Sequence, residues 1–232
     1  MLRLLLVSAL FVLTACATSH RVAENAPIRT VAIIVAFPEQ LHLHYQRLFD
    51  VVREDVPIDW RINDRVAGSL KKALSGHYEL IELPYRREQI IGAMKYNEIL
   101  VGTDNSTAER IQQMIAPGAA DAIVVVQALM NVVNQGAHMA QVKNYYSAGI
   151  GYRSTVLDGR TFKPMAAAFG SVAPAPHQIL ASRASPTRRI GFSWGGESFR
   201  ALPEGAQKEV RDIVEEMIDS SVPYTLNRVG LI

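Results

Sequence analysis

Residues 120–129 read ADAIVVVQAL, and four of the ten are a consecutive Ile-Val-Val-Val run. A β-branched run without polar alternation suits a strand covered on both faces. Such a strand demands a sheet with apolar material on each side. A second dense run, RTVAIIVAF at 29–37, makes the same demand. Between them Ile62, Val66, Leu70 and Leu74 recur every four residues, one face of an amphipathic helix, and YELIEL at 78–83 follows as a strand. The expectation is a single α/β (or α+β) domain over residues 30–232, with a mixed β-sheet and flanking helices.

The remaining segments fill in that frame. LHLHYQ at 41–46 alternates Leu41, Leu43 and Tyr45 against His42, His44 and Gln46, the period of a half-buried strand. FDVVREDVPID predicts a further strand ending at Pro57. Asp59 or Asn63 is expected to cap the helix that follows, and Gly76 to close it in the left-handed region. A weaker helix is expected over 87–100, and another opens at Ser106-Thr107 and stops at Pro117-Gly118. Asp158-Gly159 signals a tight hairpin of the primed type. The stretch 174–191 reads as a Pro- and Ser-rich loop, and EGAQKEVRDIVEEMIDS at 204–220 as an amphipathic helix. The runs RTVAIIVAF, INDRVAGSLKKALSGHYELIEL and ADAIVVVQAL make the chain similar to small envelope modules such as the amino-terminal domain of TolB and the curli-secretion lipoprotein. No functional residue is carried over from them. The inserted LHLHYQRLFDVVREDVP departs from the simplest form of that arrangement.

The first residues address the chain. Arg3 precedes Leu4–Leu13, an uncharged apolar run too short for the roughly 20 residues that span a bilayer, yet suited to a signal peptide. It ends in Leu13-Thr14-Ala15-Cys16, which resembles the lipobox of bacterial lipoproteins. The resemblance implies that residues 1–15 are removed, that the Cys16 thiol carries a diacylglycerol, and that the new amino terminus is acylated. Residues 16–29 are then a lipidated cysteine and a polar tether. Ala17 follows the cysteine, where aspartate favours inner-membrane retention in the enterobacterial relatives. The expected location is therefore the periplasmic side of the outer membrane. Cys16 is also the chain's one cysteine. In an oxidising compartment a lone free thiol is a liability, and a cysteine consumed by lipid is not.

Composition narrows the partners. Removal of Arg3 with the signal turns 24 basic residues into 23, against 22 acidic. No basic patch forms, so nucleic acid is excluded as an expected partner. The lipid is the expected membrane contact, and an envelope protein the expected partner. No cofactor and no metal is expected.

Two motifs raise catalytic or metal chemistry as alternatives. Gly191-Phe192-Ser193-Trp194-Gly195 fits the G-x-S-x-G nucleophile elbow, which holds a serine at a sharp strand-to-helix turn. Every histidine (20, 42, 44, 77, 138 and 177) precedes Ser193, so the usual Ser-acid-His order of that family cannot be assembled. His42 and His44, two apart on a strand, point the same way and offer two ligands to zinc, with His77 and His138 reading as isolated. The bland reading makes the first a glycine-rich loop in which Trp194 packs on the core. It makes the second a polar pair on an exposed hairpin face. The expected function is thus a non-catalytic, lipid-anchored binding or assembly module. The alternatives are an envelope serine hydrolase using Ser193 and a metal-binding lipoprotein using His42 and His44. LHLHYQ and YYSAGIGYR are the expected docking edges, by strand addition.

Overall fold

The structure is a computed structural model that describes residues 21–22, 27–46, 51–93, 105–129, 136–142, 145–173 and 186–232. Among these, nine strands form one mixed sheet: β1 (Thr30–Ala36), β2 (Gln40–Gln46), β3 (Val51–Pro57), β4 (Glu79–Ile81), β5 (Ala122–Ala128), β6 (Gly136–Val142), β7 (Tyr145–Asp158), β8 (Pro164–Phe169) and β9 (Thr187–Arg189). The helices are α1 (Ile62–Leu74), α2 (Arg87–Ile90), α3 (Asn105–Gln112) and α4 (Glu204–Val229), with a short 3₁₀ turn at Phe199–Ala201. The α/β class with a mixed sheet and flanking helices is as the sequence predicts.

The strand path runs β3-β2-β6-β7-β5-β1-β4, with β8 and β9 both added to β7. β1 is parallel to β4 and β5, and β2 is parallel to β6. The fourteen-residue β7 joins the two halves. Tyr145–Gly151 pair with β6 and Tyr152–Asp158 with β5, both antiparallel.

Period-two alternation sorts the sheet's side chains into two cores. On one face Val31, Val35, Leu41, Met139, Val124 and Ile150 meet Val66 and Leu70 of α1 and Val210, Ile213 and Val214 of α4. On the other, Ala32, Ile34, Ile123, Val125 and Leu157 meet Ile90, Ile111 and Ile115. Every residue of β5 is buried, its apolar run and Gln127 alike, the latter donating to Thr107 Oγ1 at 2.7 Å.

Several local expectations give way. Neither Asp59 nor Asn63 caps α1; its N-cap is Arg61, in the left-handed region at φ 53°. The Glu39 carboxylate instead accepts from the Ile62 and Asn63 amides at 3.4 and 3.5 Å. Asn63 is buried and clamps Phe37, accepting from its N–H and donating to its C=O, both at 2.9 Å. Gly76 is not left-handed either: the helix closes on Ser75 N–H to Lys71 C=O at 3.0 Å. The helix expected over 87–100 is described only as Arg87–Ile90, and residues 94–100 lie outside the described residues.

The Asp158-Gly159 turn is wider than a two-residue hairpin. Asp158 N–H donates to Lys163 C=O at 2.9 Å, and Asp158 Oδ1 gathers the amides of Arg160 and Thr161. Gly159 is required there for close approach, since a Cβ would lie 1.8 Å from Ala120 O. Of the loop expected at 174–191, residues 174–185 lie outside the described residues, and Thr187–Arg189 form β9, a short strand on β7. α4 continues past the expected Ser220 and through Pro223, because Val222, Leu226 and Val229 extend its buried face.

Candidate functional site

Cys16 lies outside the described residues, but the chain just after it does not hang free. Val22 is buried at 8% exposure, and its N–H donates to Val229 C=O at 2.9 Å. The Arg21 guanidinium donates to the carbonyls of Arg228 and Asn227 at 3.2 and 3.4 Å. Those carbonyls belong to the last turn of α4, where intrahelical partners run out. Gly230 caps the helix at φ 81°, and its missing Cβ leaves room for the Val22 backbone, whose oxygen such a Cβ would approach to 3.3 Å. The polar tether expected over 16–29 is therefore docked at Arg21–Val22. One sequence signal pointed there: Val22 is the sole large apolar residue between Ala17 and Ala26.

The His42-x-His44 pair is split in character. His42 is 4% exposed, not on an open hairpin face. Its Nδ1 lies 2.6 Å from Asp55 Oδ1, directly across the β2–β3 ladder. On its other side, β2–β6 register puts it beside His138. His138 is fully buried, with Nδ1 3.1 Å from Gly136 C=O and no hydrogen-bond partner for Nε2 among the described residues. Burial, aided by the neighbouring His42, pushes the His138 imidazole down to about 4 against the opposing pull of that carbonyl. His44 is half-buried opposite Arg53, and burial first, then the Arg53 charge, lowers it as well. The sheet thus joins His42 to His138 and Asp55 rather than to His44. Among the described residues no group of three or more His, Cys, Asp or Glu side chains is placed to hold a metal ion. The parallel register that puts His138 beside His42 is set by tertiary pairing, which no local pattern encodes.

Gly191–Gly195 forms no strand-to-helix turn. Ser193 is exposed in irregular chain, and among the described residues nothing hydrogen-bonds its hydroxyl. Trp194 turns inward instead at 1% exposure, with ring centroids 5.2 Å from Tyr45 and 6.0 Å from Tyr146. Its indole N–H donates to Glu197 C=O at 2.8 Å. The glycine-rich motif serves this inward turn, and among the described residues no base hydrogen-bonds Ser193.

The expected docking edges are not edges. β2 is paired on both sides, by β3 and β6, and β7 is paired along both sides as well. Open recesses lined by described residues include two. One, of about 320 Å³, lies between α1 and the β1–β4 edge, lined by Ile33, Val35, Ala67, Leu80 and Tyr85. There β4 stops at Ile81, and the Tyr85 hydroxyl takes over both backbone groups of Val35, at 3.2 and 3.3 Å. The other, of about 470 Å³, is lined by Val56, Asp59, Trp60, Phe199, Arg200 and Gln207 near the start of α4. Among the described residues no helix is long and apolar enough to cross a membrane.

No family model and no curated protein sequence matches the chain. Among solved structures it is similar to protein XCC0632 of Xanthomonas campestris, from the DUF330 family, at 8% identity over 90% of this chain and 89% of that one, TM-score 0.42. It is similar to lipoprotein GNA1162 of Neisseria meningitidis, at 10% identity over 83% and 99%, TM-score 0.33. It is also similar to the LpoB C-terminal domain of Salmonella enterica, at 9% identity over 70% and 90%, TM-score 0.25. At these values no residue and no role is carried from one chain to another.

Proposed function

We propose that this protein is a lipid-anchored lipoprotein of the bacterial envelope, held by Cys16 on the periplasmic side of the outer membrane. It acts there as a non-catalytic binding or assembly module for another envelope protein. One observation carries the reading: the chain's single cysteine stands at the end of Leu13-Thr14-Ala15-Cys16, after Arg3 and an uncharged run of ten. Several acyl chains on one residue anchor durably where one holds only marginally. Confinement to a surface raises effective concentration, so modest affinity for a membrane neighbour suffices. The exposed, irregular setting of Ser193 favours binding over acyl transfer. The Trp60–Phe199 recess offers an aromatic and arginine surface of the kind that interfaces use.

Fractionation of cells expressing wild type and Cys16→Ala, followed by cross-linking capture, tests this. Wild type is expected in the outer-membrane fraction with a specific envelope protein cross-linked to it, and both are lost in the variant. Equal membrane association of wild type and variant refutes the anchor. Membrane-bound wild type that captures no envelope protein refutes the binding role.

A further inference from the structure

We infer that the C-terminal end of α4, with Arg21, His77 and Asn227 exposed around it, is the face that this domain holds against phospholipid headgroups. The opposite end, carrying the Trp60–Phe199 recess, is the one presented to partners. The inference rests on the anchor at Cys16. Arg21 and Val22 are fixed to Val229, Arg228 and Asn227 through backbone and guanidinium hydrogen bonds. Only residues 17–20 separate that clamp from the lipidated residue. Five Cα steps reach about 18 Å at full extension. α4 has 26 residues and is thus about 39 Å long. The tether holds the clamped end within about 18 Å of the bilayer, whereas the far end can stand about 39 Å farther out.

Further contacts make the clamped end one rigid piece. The Tyr78 hydroxyl donates to Leu231 C=O at 2.8 Å, tying the loop after α1 to the chain's last residues. Asn227 Nδ2 donates to Ile232 C=O at 2.9 Å, and Arg228 donates to Ser171 Oγ at 3.1 Å. The Trp60–Phe199 recess sits at the other end. It contains Gln207, twenty residues and about 30 Å along α4 from Asn227. Its aromatic pair is held edge to face at 5.9 Å. Orientation by a short, docked tether needs no specific lipid, so the headgroup layer itself is the partner, and Arg21 meets its phosphates.

Because lipid consumes Cys16, an engineered cysteine is unique. His77→Cys and Arg200→Cys, both at exposed positions, are purified as lipidated protein and labelled with one fluorophore. Each is reconstituted in phosphatidylethanolamine/phosphatidylglycerol vesicles that contain a headgroup-nitroxide lipid. Mass spectrometry of the N-terminal peptide is read on the same samples. Quenching several-fold stronger at 77 than at 200 is expected. Insertion of a twenty-residue Gly/Ser linker between Ser19 and His20 should erase that difference, since such a linker adds a mean span of about 25 Å. Acylated protein with equal quenching at both positions, or stronger quenching at 200, overturns the orientation alone. Absence of acylation overturns the anchor and the orientation with it.

Discussion

Val22 donates its backbone N–H to Val229 C=O at 2.9 Å, so the segment that leaves the expected lipid anchor is welded to the last turn of the longest helix. Gly230 makes this contact possible from a left-handed backbone that other L-residues adopt at a cost. Gly230→Ala is expected to lower unfolding stability by about 1 to 2 kcal/mol and to speed proteolysis at 21–29. Denaturant melts and limited proteolysis of the variant check both. Unchanged cleavage there would mean that the dock does not depend on the cap.

His138 makes stability depend on pH. Its ordinary value is 6.5 and its folded value about 4, so below pH 6.5 the unfolded chain binds the proton more readily. The contribution of the neutral buried ring is whole above pH 6.5 and declines as pH falls toward 4. At 1.36 kcal/mol per pH unit, wild type should lose about 2 to 3 kcal/mol more than His138→Gln between pH 7 and 4.5. His44 shifts in the same direction, and the lowered carboxyls of Asp121 and Asp158 weigh only in more acid solution. Because all three remain in both proteins, their contributions cancel when the two pH profiles are subtracted.

Asn63 clamps the chain between β1 and β2 from inside the core. Asn63→Ala strands the buried Phe37 N–H and C=O and removes the 2.7 Å bond to Glu39. A loss of about 2 kcal/mol is expected, visible as a lower urea midpoint at unchanged slope.

Ser193 and Trp194 should separate cleanly. Trp194→Ala removes a buried indole and is expected to cost about 3 to 5 kcal/mol. Ser193→Ala should stay within about 0.5 kcal/mol of wild type, and a fluorophosphonate probe should leave Ser193 unlabelled. Labelling that disappears in Ser193→Ala would restore the hydrolase reading.

The sequence disclosed what local pattern encodes. β5 announced itself through Ile123–Val126, and α1 through the four-residue spacing of Ile62 to Leu74. The β2–β3 pair was legible as two strands. The burial of His42 in β2 was not, because it is set by register with Asp55 and His138, residues 13 and 96 positions away. Helix ends misled for the same reason: the donors at the start of α1 are met by Glu39, a residue outside the helix, where local capping rules looked to Asp59 or Asn63. α4 outran its expected stop because burial of Leu226 and Val229 outweighs a proline at 223. Of the candidate site, Cys16 is legible by motif alone, whereas the dock of Arg21–Val22 against α4 joins residues more than two hundred positions apart.

The most direct measurement is the intact mass and N-terminal peptide of the protein purified from its membrane. The account predicts a chain that begins at Cys16, carries a diacylglyceryl thioether and is acylated on its new amino terminus. A mature chain that begins elsewhere, or a Cys16 with a free thiol, would contradict it.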